Sequence, residues 1–249
     1  MNILGLIGYP LSHSFSPSYF AQKFKILGIT DWQYHLFPIE QIEFLRNILK
    51  ETQHLRGLNV TIPYKKKVLD YCTSLSKEAE TIGAVNFLRL KDKEIIGYNT
   101  DWIGFIKSIE NWYQPSLKKV LVLGNGGSSK AIIYSLKISG IPYDVVSRNK
   151  VKYNTSLEYK DLNEDIFSSY DLIINCTPLG TTNHEEKLLP LPYHSIKSYQ
   201  YFYDLVYNPS ITEMMTLFEN ANAKTKNGLE MLQIQADETW ILAQNEYFQ

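Results

Sequence analysis

Hydrophobic and polar residues alternate along the first hundred residues in short blocks that predict strands separated by helices. Residues 2–8 form an apolar run that ends at Gly8-Tyr9-Pro10, which predicts a buried strand followed by a loop. Apolar residues then recur at helical spacing from residue 19 to 27, which predicts a helix with Ser16 as its N-cap and Pro17 at its first position. The patterning further predicts strands at 33–38, 55–62, 85–90 and 94–98, the last two as a hairpin, and a helix at 40–51. Strands alternating with helices are typical of an α/β layer.

A second series of strands and helices begins after Pro115. Residues 118–123 form a continuous Val/Leu run of the kind found inside a parallel sheet, and they lead into a glycine-rich turn and a helical stretch at 128–139. Strands are then predicted at 143–147, 171–176 and 202–206, and a helix at 228–248. We therefore expect two α/β domains, 1–101 and 102–227, joined by the helix 101–112. We expect the tail 228–249 to return as a helix and pack on the first domain.

Composition and charge exclude several classes of protein. Of 249 residues, 44% are hydrophobic and 20% are charged, as in an ordinary globular protein, and the net charge of -1 gives no field that favours nucleic acid. Cys72 and Cys176 form no disulfide framework, which fits a reducing compartment. The first residues lack the pattern of a signal peptide, and no stretch has the ~20 apolar residues that span a bilayer. We expect a cytoplasmic protein that acts on a small molecule, with neither nucleic acid nor membrane as a partner.

The glycine-rich turn after the strand at 118–123 predicts a dinucleotide site. Its sequence is Gly124-Asn125-Gly126-Gly127-Ser128-Ser129, and it lies directly between a strand and a helix. Gly124 permits the tight turn, Gly126 lets backbone amides approach a pyrophosphate, and the helix N-terminus attracts the anion. The strand, turn and helix together predict a Rossmann-type domain.

The next strand predicts which dinucleotide is bound. NAD-binding domains carry an acidic residue about 20 residues after the glycines, where it binds the ribose 2′-hydroxyl. This chain has Ser147-Arg148-Asn149-Lys150 there, with Lys152 close behind and no acid. A guanidinium matches a 2′-phosphate in charge and geometry, so the sequence predicts NADP.

Four polar clusters in the first domain lie at the ends of predicted elements, where α/β proteins build their sites. They are residues 12–17 (Ser-His-Ser-Phe-Ser-Pro), 59–65 (Asn-Val-Thr-Ile-Pro-Tyr-Lys), 84–86 (Ala-Val-Asn) and 99–101 (Asn-Thr-Asp). Each cluster alone is explained as a cap, a strand stop or a turn. Four of them in one half of the chain, beside a predicted NADP domain, favour a substrate site.

These clusters and the second half of the chain match, in order, eight motifs of one family. They are S-x-S-x-S-P, N-V-T-x-P-x-K, G-A-V-N, N-T-D, G-x-G-G, N-x-T-P-x-G, Y-N-P and G-L-x-M-L-x-x-Q-A. The chain therefore resembles the shikimate dehydrogenases across nearly its whole length. The resemblance implies reversible reduction of 3-dehydroshikimate to shikimate with NADP, an oxidoreductase step of aromatic amino-acid (chorismate) biosynthesis, in an N-terminal substrate domain and a Rossmann-type domain.

The resemblance also implies roles for individual residues. Lys65 and Asp101 would be the catalytic pair, and Ser14 and Ser16 would bind the substrate carboxylate. The other implied substrate residues are Asn59, Thr61, Asn86, Tyr207 and Gln235. The implied cofactor residues are Gly124, Asn125, Gly126, Gly127, Ser128, Ser147, Arg148, Asn149, Lys152, Thr177, Leu205 and Gly228.

The chemistry fits these residue types. Hydride reduction of a ketone leaves an alkoxide, which needs a proton and a nearby positive charge, and a lysine supplies both. Asp101 would hold Lys65 and favour its charged form. One departure from the family is Ser147-Arg148-Asn149, where Asn-Arg-Thr is usual, which keeps the arginine and changes its neighbours.

Other functions stay open at this stage. The nearest is a quinate or dual quinate/shikimate dehydrogenase, possibly one that uses NAD, because one ring hydroxyl is a small difference. A second is a nucleotide-binding regulatory module without catalysis, against which Lys65 and Asp101 argue. The five histidines lack metal-ligand spacing, and no metal is expected. We expect a monomer or a homodimer.

Overall fold

The chain forms two compact units in the computed structural model, which describes residues 1–12, 14–110, 112, 119–182 and 187–244. One unit consists of Met1–Ile103 and the described residues from Gln233 onward, and the other consists of Gly104–Leu232. Pro115, the start of the predicted strand at 118 and residues 245–248 of the predicted tail helix lie outside the described residues.

The first unit is built on a six-stranded mixed sheet. Its strands are β1 (Asn2–Gly8), β2 (Trp32–Pro38), β3 (Leu55–Val60), β4 (Ser74–Leu75), β5 (Phe87–Lys91) and β6 (Glu94–Tyr98), in the order β2-β1-β3-β5-β6-β4. Its helices are α1 (Ser16–Ile26), α2 (Leu45–Glu51), α3 (Lys77–Ile82) and the start of α4 (Asp101–Glu110). β1 runs parallel to β2 and β3, and β5 runs antiparallel to β3. The predicted hairpin is confirmed, with Lys91 opposite Glu94 and Asp92 in the turn at a φ of 55°.

The second unit is built on a parallel sheet with the connectivity of a dinucleotide-binding domain. Its strands are β7 (Val120–Leu123), β8 (Tyr143–Ser147), β9 (Leu157–Glu158), β10 (Leu172–Asn175), β11 (Tyr201–Asp204) and β12 (Lys224–Asn227), in the order β12-β11-β10-β7-β8-β9. Its helices are α5 (Gly127–Ile138), α6 (Lys150–Tyr153), α7 (Glu164–Ser168), α8 (Glu213–Asn220) and the start of α9 (Leu229–Gln244). All four residues of β7 are buried, as a strand covered on both faces requires.

Apolar residues pack on both faces of the first unit's sheet. Neighbouring residues of a strand point to opposite faces, so Phe87 joins a cluster with Phe20 and Leu4 while Leu88 joins the cluster on the other face. The end of α9 completes the Phe87 cluster through Trp240, whose ring centroid lies 5.1 Å from that of Phe24. The C-terminal helix therefore returns to the first unit, as predicted.

Some local predictions were wrong. Helix α1 begins at Ser16 itself, and the N-cap position belongs to Phe15, whose backbone is already helical (φ -71°, ψ -32°). A capping side chain acts from a non-helical residue that precedes the helix, so Ser16 does not cap α1. The predicted helix at 40–51 is a 3-10 turn at Ile42–Phe44 followed by α2. Among the described helices, none has the length and apolar content needed to cross a membrane.

Candidate functional site

A buried ion pair lies at the carboxyl edge of the first unit's sheet. Lys65 follows β3, and its backbone is fixed because its carbonyl accepts a hydrogen bond from the Val85 amide at 2.7 Å. Asp101 begins α4, where the side chain of Asn99 accepts its backbone N–H at 3.1 Å. Lys65 Nζ lies 2.6 Å from Asp101 Oδ2, and the two side chains are 14% and 7% exposed. The sequence therefore folds to place an ammonium group against a carboxylate with little water around either.

An asparagine links this ion pair to the last helix. The Nδ2 of Asn86 donates to Asp101 Oδ1 at 2.8 Å and lies 3.3 Å from Oε1 of Gln235. Its Oδ1 accepts the backbone N–H of Thr100 at 2.7 Å. The hydroxyl of Thr100 donates to the backbone carbonyl of Gln235 at 3.1 Å. Both oxygens of Asp101 are thus held, one by Lys65 and one by Asn86, and the predicted residues Lys65, Asn86, Asp101 and Gln235 form one connected group.

A second polar group of the first unit is centred on Tyr34 in β2. Its hydroxyl donates to Asn59 Oδ1 at 3.0 Å. Burial raises the pKa of the Tyr34 hydroxyl, and a hydrogen bond with Ser16 partly offsets that rise. Ser14 is held through its backbone N–H, which donates to the carbonyl of Leu11 at 3.1 Å. Because Ser16 does not cap α1, its hydroxyl takes part in this group instead.

Thr61 lies beside the end of β1. A β-carbon added at Gly8 would collide with the methyl group of Thr61, so the Thr61 side chain packs directly on the backbone of Gly8. Tyr207, the remaining predicted substrate residue, belongs to the second unit, where burial raises the pKa of its hydroxyl.

The glycine-rich turn of the second unit forms an open cradle between β7 and α5. Gly124 has a φ of +98°, which a residue with a side chain rarely adopts. Gly126 is the N-cap of α5, no acidic residue lies in the first turn of that helix, and nothing stands within 4 Å of a β-carbon built at Gly126. Ser129 is fully buried and donates to the Gly126 carbonyl at 2.8 Å, which allows the helix to pack closely on the strand. The cradle, which also includes Gly127 and Ser128, fits a pyrophosphate group because the N-terminus of α5 directs backbone N–H groups towards an anion and its first turn carries no acidic residue.

Several side chains predicted to bind the cofactor make hydrogen bonds with protein groups. The Ser147 hydroxyl lies 2.7 Å from that of Thr155, and Asn149 caps α6 by accepting the Lys152 amide at 2.8 Å. Asn125 Nδ2 donates to the Tyr153 carbonyl at 2.6 Å, which ties the glycine turn to the segment after β8.

The cations of this segment differ in what they contact. Arg148, Lys150 and Lys152 are all exposed. Lys150 pairs with Asp161 at 3.2 Å, and Lys152 Nζ lies 5.4 Å from the centroid of the Tyr153 ring. The arrangement fits a 2′-phosphate held by Arg148 and Lys152, with Asn125, Ser147 and Asn149 as the residues that shape the loop.

The opposite side of the cradle is formed by the segments after β10 and β11. The backbone N–H and the hydroxyl of Thr177 both donate to Asn175 Oδ1, at 3.0 and 2.7 Å. A β-carbon at Gly228 would collide with the Leu205 carbonyl, so these two predicted residues touch through their backbones.

The sequence analysis missed Asp204, the last residue of β11. Its side chain is fully buried and accepts hydrogen bonds from Asn175, Val206 and Thr212. An acidic residue inside the otherwise apolar run Phe-Tyr-Asp-Leu-Val was the signal that could have revealed it.

Comparisons with known proteins identify the family of this chain. The profile of the family described as "Shikimate dehydrogenase substrate binding domain" matches residues 6–88. A shikimate dehydrogenase (NADP(+)) of Clostridium botulinum is 38% identical over 95% of this chain and 94% of its own length.

Solved structures extend the likeness to the fold. The crystal structure of shikimate dehydrogenase 1 from Peptoclostridium difficile is 34% identical, with a TM-score of 0.86 over 100% of this chain and 94% of that one. A shikimate 5-dehydrogenase from Thermus thermophilus, in complex with NADP(H) and shikimate, is 27% identical, with a TM-score of 0.85 over 98% and 94% of the two chains. With 38% identity to a curated relative over 95% of its length, this chain belongs to the shikimate dehydrogenase family.

Proposed function

We propose that this chain is an oxidoreductase that catalyses the reversible, NADP-dependent reduction of 3-dehydroshikimate to shikimate in aromatic amino-acid biosynthesis. The observation that carries the proposal is the buried Lys65–Asp101 pair, joined through Asn86 to Gln235. A ketone reductase needs a proton donor beside its substrate, and this group holds one in place. The family relationship supplies the substrate class, and the glycine cradle with Arg148 fits the cofactor.

Lys65 would act as the proton donor. NADPH, when bound, would supply the hydride. The ammonium group of Lys65 would donate a proton to the oxygen of the ketone as it is reduced. The positive charge of Lys65 stabilises the negative charge that develops on that oxygen, most strongly where water is excluded. In the reverse direction, neutral Lys65 accepts the proton of the substrate hydroxyl.

Asp101 would hold Lys65 in the position for this transfer. The 2.6 Å contact restricts the rotation of a long side chain. Since Asn86 binds the other oxygen of Asp101, the carboxylate cannot turn away from Lys65 without losing a hydrogen bond.

Hydroxyl and amide side chains would bind the substrate. The hydroxyls of Ser14 and Ser16 would hold its carboxylate, since neutral donors bind an anion without adding a second buried charge. The ring hydroxyls would be bound by residues that both donate and accept, namely Asn59, Thr61, Asn86, Tyr207 and Gln235.

The cofactor would lie along the carboxyl edge of the second unit's sheet. Backbone N–H groups of the cradle at 124–128 would bind its pyrophosphate, and Arg148 and Lys152 its 2′-phosphate. Thr177, Leu205 and Gly228 would flank the nicotinamide half, because the segments after β10 and β11 lie on the opposite side of β7 from Arg148.

Initial rates with purified protein test the proposal. Shikimate and quinate are each assayed with NADP and with NAD, in all four pairings. We expect kcat/KM to be largest for shikimate with NADP. A preference for quinate or for NAD would assign the sister activity, and no activity in any pairing would refute the proposal.

A further inference from the structure

Asp204 is a buried acid to which the proposed reaction gives no role. Its carboxylate is fully buried at the end of β11. Oδ1 accepts a hydrogen bond from Asn175 Nδ2 at 2.9 Å and another from the Val206 amide at 3.0 Å. Oδ2 accepts one from the Thr212 hydroxyl at 2.7 Å. The carboxylate thus joins three segments of the second unit: the end of β10, the loop after β11 and the N-terminus of α8.

The side chain of Asn175 connects Asp204 to the loop after β10. Its Nδ2 also donates to the Leu179 carbonyl at 3.1 Å, while its Oδ1 accepts the backbone N–H of Thr177 at 3.0 Å and the Thr177 hydroxyl at 2.7 Å. One fully buried amide group therefore fixes both ends of the segment Thr177–Leu179.

Asp204 helps to determine which way that amide faces, together with the Leu179 carbonyl and the Thr177 N–H. An amide can rotate by half a turn and exchange its oxygen and nitrogen positions with almost no change in shape. A carboxylate can only accept hydrogen bonds, so the nitrogen of Asn175 must face Asp204 and the oxygen must face Thr177. With the amide reversed, Asn175 would present N–H groups to the N–H of Thr177 and an oxygen to the carbonyl of Leu179.

The segment that Asn175 fixes lies beside the cofactor cradle. A β-carbon at Gly124 would stand 2.9 Å from the Thr177 methyl group, so Thr177 contacts the start of the glycine turn. Across the sheet, β8 with Arg148 lies on one side of β7, and β10 and β11 lie on the other. A dinucleotide whose pyrophosphate lies in the cradle and whose 2′-phosphate is bound by Arg148 therefore directs its nicotinamide half towards Thr177–Leu179.

We propose that Asp204 is a positioning residue for the nicotinamide half of the cofactor: by orienting the Asn175 amide, it fixes the Thr177–Leu179 segment against which that half is bound. The inference rests on the proposed use of NADP. It predicts that loss of Asp204 weakens only those ligands that extend past the pyrophosphate.

Two ligands separate this role from general stabilisation of the unit. NADPH, followed by its own fluorescence, occupies both halves of the site, whereas adenosine 2′,5′-bisphosphate, followed by calorimetry, occupies only the half at Arg148. For Asp204→Ala we expect the Kd for NADPH to rise about tenfold or more, which corresponds to about 1.4 kcal/mol or more. The Kd for adenosine 2′,5′-bisphosphate should stay within about twofold. Asn175→Ala removes the amide that Asp204 contacts, and it replaces Asp204→Ala if that variant does not fold.

Two further variants complete the test. Thr212→Val removes one hydrogen bond from Asp204 but leaves Asn175 oriented, so NADPH should bind it as it binds the wild type. Asp204→Asn keeps an acceptor oxygen for Asn175 and Val206, and it should restore most of the NADPH affinity. The inference is overturned if the alanine variants bind NADPH normally, or if they lose both ligands equally. Failure of the wild type itself to bind NADPH would refute the proposed function instead.

Discussion

The charge on Asp204 should make the stability of this protein fall as the pH rises. Burial raises the pKa of the Asp204 carboxyl from its ordinary 3.8 to about 6, although hydrogen bonds from Thr212, Val206 and Asn175 oppose the rise. Between these two values the folded state keeps a proton that the unfolded state has released. Stability therefore falls as the pH rises from about 4 to about 6, and it changes no further above that range on account of this group.

The size of the effect follows from the two pKa values. At about 1.4 kcal/mol for each pH unit, the difference between 3.8 and about 6 corresponds to about 3 kcal/mol. Cys176 and Tyr193 also face Asp204, but burial raises the pKa of each, so both stay neutral throughout this range. Asp204→Asn removes the titration and keeps the size of the side chain. The stability of the variant relative to the wild type should increase by about 3 kcal/mol between pH 4 and pH 7.

Urea denaturation at a series of pH values measures this difference, with amide hydrogen exchange in β10 and β11 as the local readout. Asp161→Asn is the control, because hydrogen bonds to the Glu158 amide and Lys150 lower the pKa of Asp161. A lowered pKa stabilises the folded protein above the ordinary value, so this variant should lose relative stability as the pH rises. A pH-independent difference for Asp204→Asn, or one of the same sign as for Asp161→Asn, would refute the assignment of a raised pKa.

Three further predictions concern activity and cofactor choice. Lys65→Met should lower kcat by a factor of about 100 or more in steady-state assays, with little change in the KM for shikimate. General acids typically contribute ~10²–10⁴-fold to the rate. The control variant Lys66→Met, at an exposed neighbour, should leave kcat unchanged. Arg148→Ala should raise the KM for NADP about tenfold or more and leave the KM for NAD nearly unchanged, and equal effects on both would remove Arg148 from the 2′-phosphate site. Asn125→Ala removes the 2.6 Å hydrogen bond to the Tyr153 carbonyl, and it should raise the Kd for adenosine 2′,5′-bisphosphate several-fold in calorimetry. An unchanged Kd would show that this hydrogen bond does not shape the site.

The sequence predicted those parts of the fold where patterning alone determines the structure. The Val/Leu run of β7 could be recognised because a strand buried on both faces has no polar positions. The patterning predicted no element between 150 and 170, since α6 has four residues and β9 has two, too few for a period to emerge. Tertiary contacts decide such short elements.

The candidate site shows the same division at the level of side chains. The family resemblance suggested Lys65 and Asp101 as a pair, and the structure adds that Asn86 and Thr100 join them to Gln235. Spacing could not show that the side chains of Ser147 and Asn149 bind protein groups, because a motif gives the position of a residue and not the direction of its side chain.

A neutral residue at 204 would avoid the cost of burying a charge, so stability does not explain the aspartate. That cost, about 3 kcal/mol at neutral pH by the pKa values above, is a large part of the 5–15 kcal/mol by which a typical domain is stable. A carboxylate has one property that an amide of the same shape lacks: every position on it is an acceptor, so the donors of three segments must all point towards it. An asparagine keeps one acceptor oxygen for Asn175, but its N–H group faces the buried Thr212 hydroxyl, which loses this acceptor. We therefore expect that the aspartate is kept for a single orientation of the Thr177–Leu179 segment, and that a variant selected only for stability would lose it first.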